Sequence, residues 1–354
     1  MLSFGSNGGS QAIEGDPVLS GEISRDRPLV STVIPVYNRA LLLLDSIDSV
    51  LAQTYRPIEI ILVDDGSTDD TPGVLADLVH RWPDLLKVVR QPNAGPGPAR
   101  QRGLDLATGE FVQFLDSDDL LLPEKFSYQV AALLAHPEAQ ICYGRSYEED
   151  YSKRPVCREG PMRQTGRAHL HLFPLLLVER WWTTSSPLYR RSLLQRLGPW
   201  RAWLNEEDWE YDARAGATGA CLCWVDEAVS VRRIHLATEH LSAGGTVDPR
   251  KLLHRAAARQ SIFLSARAAG MDIYRPEMAH FARSAFLLSR QCGLAGLEGA
   301  SRDLFALARR ASTPSRRFGP DYLLYGILGP VLGWSNTARL ILSGYRLLLR
   351  RRGS

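Results

Sequence analysis

Cysteine is scarce in this chain. Its 354 residues include five, Cys142, Cys157, Cys221, Cys223 and Cys292, an odd number with no CxxC spacing. That argues against a disulfide framework and a cysteine-built zinc site, and it points to a reducing compartment. Long apolar runs are missing too. The uncharged stretch Tyr322 to Ala338 is short and broken by Gly326, Gly329, Pro330 and Gly333, whereas a membrane-spanning helix needs about 20 apolar residues. Residues 1–28 are rich in Gly, Ser and Asp without an apolar centre, so they read as a loose tail and not as a signal peptide. A large excess of one charge is absent as well: the net charge of +3 is too small to argue for nucleic acid. No internal repeat is found.

What is there describes a globular protein with ample core, 45% apolar and 23% charged. The length suits one main domain with an appendage. Strand and helix patterns alternate. Strands are predicted at Leu29 to Tyr37, Ile58 to Val63, Leu86 to Arg90, Glu110 to Leu115 and Ile141 to Tyr143. Helices are predicted at Arg39 to Gln53, Asp70 to Arg81, about Ala99 to Ala107, and Pro123 to about His136, with Pro123 in the first turn. This alternation predicts an α/β fold with a mainly parallel central sheet covered by helices on both faces.

Two acidic clusters stand at the ends of buried-strand patterns. IEIILVDDGSTDD ends in Asp64, Asp65, Asp69 and Asp70, and EFVQFLDSDD ends in Asp116, Asp118 and Asp119. Carboxylates beyond the C-terminal end of a parallel strand face the crevice where open α/β sheets bind ligands. Neighbouring carboxylates repel one another unless a cation or hydrogen-bond donors meet them. Asp116-Ser117-Asp118 therefore suits a hard metal ion shared with phosphate oxygens. Helix capping and turn formation are the plainer role, and they account for Asp69.

The segments STVIPVYNR, ILVDDGSTDDT, NAGPGPARQRGLDLATGEFVQFLDSDD and NEEDWEYDARAG, in this order, resemble glycosyltransferase family 2. The resemblance covers residues 29–240. It implies the nucleotide-sugar-binding, Rossmann-like GT-A fold and an inverting transferase that uses Mn²⁺ or Mg²⁺. By the same resemblance, Pro35 and Tyr37 line the nucleotide base pocket, with the Tyr37 ring free to stack or else part of the core. Asp65 accepts from the base imide, with Asp64 as support. Arg100 lies near the nucleotide and diphosphate, or pairs on the surface. Asp118 is the direct metal ligand, and Asp116 beside it faces the ion or the ribose. His235, after VSVRRI, completes the metal shell, contacts diphosphate, or is structural. Gln101 stands where the family more often has Asn.

The transfer needs charge stabilised on the departing diphosphate and a proton removed from the attacking hydroxyl. The loop NAGPGPAR offers backbone donors for the first task, or is a simple turn. For the second, Asn205-Glu206-Glu207-Asp208-Trp209 resembles the family's Glu-Asp-Trp motif. Asp208 is then the general base, Glu207 contacts the acceptor or orients neighbours, and Glu206 is an additional residue. One base without a second nucleophilic carboxylate implies direct displacement with inversion. Trp209 suggests a sugar-facing shelf. Trp181 and Trp182 either stack on a sugar or belong to the core. Ser146 to Arg180 carries no legible signal.

Residues 241–354 show helical spacing at Leu252 to Ala269, Pro276 to Ser289 and Ser301 to Arg310. Toward the end, Arg339, Arg346 and Arg350 share one helical face. A basic amphipathic end suits an anionic membrane surface, and packing on the main domain is the competing reading. The expected partners are a nucleotide-diphosphate sugar, UDP-linked by family habit, and a glycan or lipid-linked acceptor. The expected location is the cytoplasm, including the inner face of its membrane. A non-catalytic adaptor on the same scaffold is the alternative. A haloacid-dehalogenase-like phosphatase is disfavoured, because FLDSDD lies on the fourth strand and lacks the Thr or Val after its second Asp.

Overall fold

The computed structural model describes residues 27–151, 153, 155–234 and 248–352. Four parallel strands form its first half: β1 (Val30–Val36), β2 (Ile58–Asp64), β3 (Leu86–Arg90) and β4 (Phe111–Phe114). Helices α1 (Leu42–Leu51), α2 (Thr71–Arg81) and α3 (Pro96–Leu106) connect them. Every residue of β2 is buried, because helices cover both faces. Ile61 and Val63 join one core cluster and Ile60 and Leu62 the other, as the two-residue period of a strand requires.

The sheet continues through β5 (Leu120–Leu121), α4 (Lys125–Ala135), β6 (Ala139–Asp150), β7 (Cys157–Glu159), β8 (Leu188–Arg190), α5 (Arg191–Leu197), α6 (Glu207–Ala217) and β9 (Cys221–Ile234). The strand order is β3-β2-β1-β4-β8-β6-β9-β5, with β7 paired to β6. β8 runs antiparallel between β4 and β6, while the long β6 and β9 pair in parallel. β6 has 12 residues, far more than the predicted Ile141 to Tyr143. Its polar second half is held in the ladder by β9, a tertiary partner that local pattern does not announce. Pro123 precedes α4 and is not in its first turn.

β1 has β2 on one side and β4 on the other, so the strand order reverses there. That reversal opens a crevice at the strands' C-terminal ends, where Tyr37, Asp65 and Asp116 to Asp118 lie.

The C-terminal helices are α7 (Pro249–Ala268), α8 (Pro276–Leu294), α9 (Glu298–Arg310), α10 (Pro314–Arg317), α11 (Pro320–Leu332) and α12 (Trp334–Arg352). They share one core with the sheet: Val33 and Phe114 belong to the same apolar cluster as Leu252, Phe281 and Ala338. Thr337 and Ala338 are buried, so the first turns of α12 pack on its neighbouring helices α8, α9 and α11. No described helix is long and apolar enough to cross a membrane.

Candidate active site

The crevice is built from two segments that are distant in sequence. The first is the turn after β4. Asp116 and Asp118 are half-buried there, and Asp119 is buried, accepting hydrogen bonds from Ser185 Oγ (3.0 Å) and the Arg233 backbone N–H (3.2 Å). Burial, then the charges of Asp116 and Asp118, push the Asp119 carboxyl well above the usual range. Arg233 also donates through Nε to the Asp118 carbonyl.

The second segment is the start of α6, and Arg100 on α3 joins the two. Its Nη2 donates to Asp116 Oδ1 at 2.7 Å and its Nη1 to Glu207 Oε1 at 2.8 Å, while the guanidinium lies over the Trp200 ring. Arg100 is thus buried and is not the surface pair that the sequence left open. Burial acts against its charge, but Asp116, Glu207 and Asp208 keep it firmly protonated.

The two carboxylates at the helix start are driven apart. Burial and the charge of Asp208 push Glu207 up to about 7, against the pull of Arg100. Burial would raise Asp208 as well, but Arg180 and Arg100 hold it below the usual carboxylate range. Arg180 Nη1 meets Asp208 Oδ2 at 2.9 Å, and Arg180 Nε donates to Asp212 Oδ2 at 2.7 Å. Asp212 also accepts from Trp182 Nε1 (2.8 Å) and the Tyr189 hydroxyl (2.9 Å). Asp208 keeps 28% of its side chain open, whereas Glu207 is enclosed. Of the pair, Asp208 is the one a substrate can reach.

Glu206 has a structural partner in the C-terminal region. It adopts φ 61°, a left-handed conformation uncommon outside glycine, just before α6. Its carboxylate receives Arg255 Nε (3.0 Å) and both terminal nitrogens of Arg259 (2.6 and 3.2 Å), all from α7. Arg259 also covers the Trp209 ring at 4.2 Å, and Trp209 Nε1 donates to the Leu176 carbonyl. Where a sugar shelf was expected, Arg259 thus covers one face of the half-buried Trp209 ring. Trp181 and Trp182 are core, fully buried and packed with Tyr143.

At the end of the crevice beside β1, Tyr37 is 45% exposed, so its ring is available to stack. Pro35 is half-buried opposite Val63. Asp64 is buried, accepts the Ser67 N–H (2.8 Å) and pairs with Arg90 (3.3 Å), which makes it a turn organiser. Asp65 accepts from Gln91 Nε2 (2.7 Å) and the N–H groups of Ala94 (2.9 Å) and Gly95 (2.8 Å). A carboxylate offers about four acceptor positions, so one remains on Oδ2. Within NAGPGPAR, the Ala94 and Gly95 N–H groups therefore serve Asp65 and are not among the loop's donors for a phosphate. Gly97 is needed because a Cβ there would strike the Arg201 carbonyl. His235 lies outside the described residues.

The donor set fits a hard divalent ion. Asp116 and Asp118 offer carboxylate oxygens at the crevice; Arg100 and Arg180 pair with Asp116, Glu207, Asp208 and Asp212, Arg233 reaches Asp119 through its backbone N–H, and no thiolate is among these groups. No described group of three or more His, Cys, Asp or Glu forms a complete metal cage; an ion held by one or two carboxylates takes its other ligands from substrate phosphates and water.

Sequence reasoning missed Arg180, Asp212, Arg255 and Arg259. Arg180 gives no local signal. Arg255 and Arg259 do, because like charges at i,i+4 repel unless an anion meets them.

Known proteins share this architecture. The sequence profile described as glycosyl transferase family 2 matches residues 31–197. An uncharacterized glycosyltransferase of Nostoc sp. is 32% identical over 241 residues, covering 62% of this chain and 69% of that protein. Glycosyltransferase GlyG of Streptococcus pneumoniae is 35% identical over 125 residues, 35% of this chain and 41% of GlyG. The fold matches Staphylococcus aureus TarS 1–349, crystallised with UDP-GlcNAc, at a TM-score of 0.65 and 20% identity over 90% of this chain and 91% of that one. It also matches the mannosyltransferase PcManGT from Pyrobaculum calidifontis, in complex with GDP-Man and Mn²⁺, at a TM-score of 0.50 and 21% identity over 89% and 85%. The shared fold is GT-A, and the chain belongs to glycosyltransferase family 2.

Proposed function

We propose that this chain moves a sugar from a nucleotide-diphosphate sugar, with UDP as the expected carrier, to a hydroxyl of a glycan or lipid-linked acceptor, with inversion at the anomeric carbon. The observation that carries the reading is Arg100, which ties the Asp116 turn to Glu207. Through it the leaving-group end and the base end of the reaction share one cleft. The relatives crystallised with UDP-GlcNAc and with GDP-Man and Mn²⁺ support a nucleotide-sugar donor. Residues 29–240 would form the transferase domain and 241–354 a helical region joined to it.

In this mechanism Tyr37 stacks on the base, beside Pro35, and Asp65 uses its remaining acceptor position on the base imide. Asp118, with Asp116 beside it, would hold Mn²⁺ or Mg²⁺. When bound, that ion supplies Lewis-acid stabilisation of the negative charge on the departing diphosphate. Arg100 holds Asp116 in place. Asp208, kept ionised by Arg180, takes the proton of the acceptor hydroxyl as its oxygen attacks the anomeric carbon. The bond from that carbon to the diphosphate oxygen breaks on the opposite side, with its electron pair leaving on oxygen. A single displacement inverts the centre. Glu207 keeps Arg100 in register. The setting is taken to be cytoplasmic, where nucleotide sugars and the inner membrane face are both within reach.

A panel of UDP-, GDP- and dTDP-sugars tests the reading through thermal stabilisation and slow release of nucleoside diphosphate in Mn²⁺ or Mg²⁺. One donor should stabilise the protein and be hydrolysed only with metal. Neither effect with any donor would overturn it.

A further inference from the structure

The helical region carries a surface that sugar transfer leaves unused. α11 is apolar on both sides. Its inner face is buried: Tyr322 packs on Phe286 and Phe305, and Gly329 meets the indole of Trp334. Its outer face shows Leu323, Leu324, Ile327 and Val331 at 43, 49, 64 and 76% exposure. These positions, i, i+1, i+4 and i+8, form one stripe of a helix. Phe318 just before it and Leu340 on α12 are exposed as well. A surface helix ordinarily turns charge outward, yet no charged residue occurs between Asp321 and Arg339. A contiguous exposed apolar face of this kind marks an interaction surface.

Charge selects the partner. After Asp321 the chain contains Arg339, Arg346, Arg350, Arg351 and Arg352 and no Asp or Glu. Arg339 is exposed beside Leu340, and Arg309 and Arg310 are exposed at the end of α9. Asp321 itself is engaged in a two-pronged pair with Arg316 at 2.8 and 2.6 Å. A second copy on this face would bring arginines against arginines, which opposes association. An apolar stripe in cationic surroundings instead matches a partner that is apolar within and anionic outside. We propose that the outer face of α11 lies in the interface of an anionic phospholipid bilayer, with Leu324, Ile327 and Val331 entering the acyl boundary and the C-terminal arginines drawn to the headgroups. This deepens the transferase reading, since it places the cleft near a lipid-linked acceptor. Vesicle binding needs neither donor nor turnover, so either reading can fail alone.

The test is sedimentation of the full-length protein with vesicles of phosphatidylcholine alone or with about one-third phosphatidylglycerol, at low and high salt. Wild type should bind the anionic vesicles, ignore the neutral ones and be released by salt. The double variant Ile327→Glu/Val331→Glu should lose about tenfold or more in vesicle affinity. Its Tm and its donor hydrolysis should not change, because both side chains are already in water. Ile327→Leu should bind like wild type. Wild type that ignores anionic vesicles at low salt, or a double variant that binds as well as wild type, overturns the proposal. So does a double variant that only dissociates a dimer in light scattering, which would make the face a contact between copies.

Discussion

Arg259→Met removes the fork that ties α7 to the base motif while keeping most of the side chain's volume. Three effects set its size. Both terminal nitrogens of Arg259 reach Glu206, and breaking a buried pair typically costs about 3–5 kcal/mol. Here Arg255 still meets Glu206 at 3.0 Å, so the lower end applies. The guanidinium also leaves the Trp209 ring, which it covers at 4.2 Å, for a further loss of about 1–2 kcal/mol. Against these, burial and the like charge of Arg255 already work against Arg259, and the substitution relieves both. The net is a destabilisation of about 2–3 kcal/mol, or, for a chain of this length, a Tm lowered by roughly 3–4 °C. Catalysis should suffer separately. Glu206 sits in its left-handed turn immediately before Glu207 and Asp208, so slack there shifts the base, and a misplacement of about 1 Å can cost about 10²-fold. The expected result is kcat down by about 10- to 100-fold with donor KM nearly unchanged. Arg259→Lys should fall between, because an ammonium cannot reproduce the fork. Calorimetry and steady-state kinetics on folded protein decide the matter. Unchanged Tm and kcat would refute the clasp, and a lowered Tm with wild-type kcat would reduce α7 to a scaffold.

Three further outcomes follow from the site. Asp208→Asn should lower kcat by about 10²–10⁴-fold with unchanged donor affinity by titration; lost donor binding with intact kcat would move Asp208 to the nucleotide pocket. Asp118→Asn should abolish transfer and weaken donor binding in Mn²⁺ without changing Tm, and near-wild-type turnover with the same metal dependence would refute its assignment. Glu207 governs pH. Its folded value of about 7 lies above the ordinary 4.5, so the stability that it contributes is full below about 4.5 and lost as pH rises through about 7. Glu207→Gln should therefore gain Tm over wild type across that window, and it should lose the acidic limb of kcat/KM near 7 that comes with protonation of the Arg100 partner. A Tm difference independent of pH would show that Glu207 does not titrate there.

Much of the first half was legible because its signals are local. β2 reads as a strand from IEIILV alone, and its burial on both faces follows from that continuous apolar run. The acidic turns were legible for the same reason, since each follows its strand directly. The long strands β6 and β9 were not, because their polar halves are strand only through pairing with each other. Glu206 looked like an insertion in a known motif. Its partners stand 49 and 53 residues further on, and no local pattern joins them.

The sequence by itself determined which groups are available: two carboxylate turns after parallel strands, an acidic helix start, and a basic, apolar C-terminal end. Periodicity and composition act at short range, so they specify elements and the chemistry carried at their ends. The tertiary structure alone decided the pairings. It buried Arg100 between Asp116 and Glu207, set Arg180 between Asp208 and Asp212, and gave Trp181 and Trp182 to the core. It also decided that Glu207 and Asp208, adjacent and alike in sequence, differ in acidity. A carboxyl group's proton affinity depends on burial and on the charges within a few ångströms, and those neighbours come from distant parts of the chain.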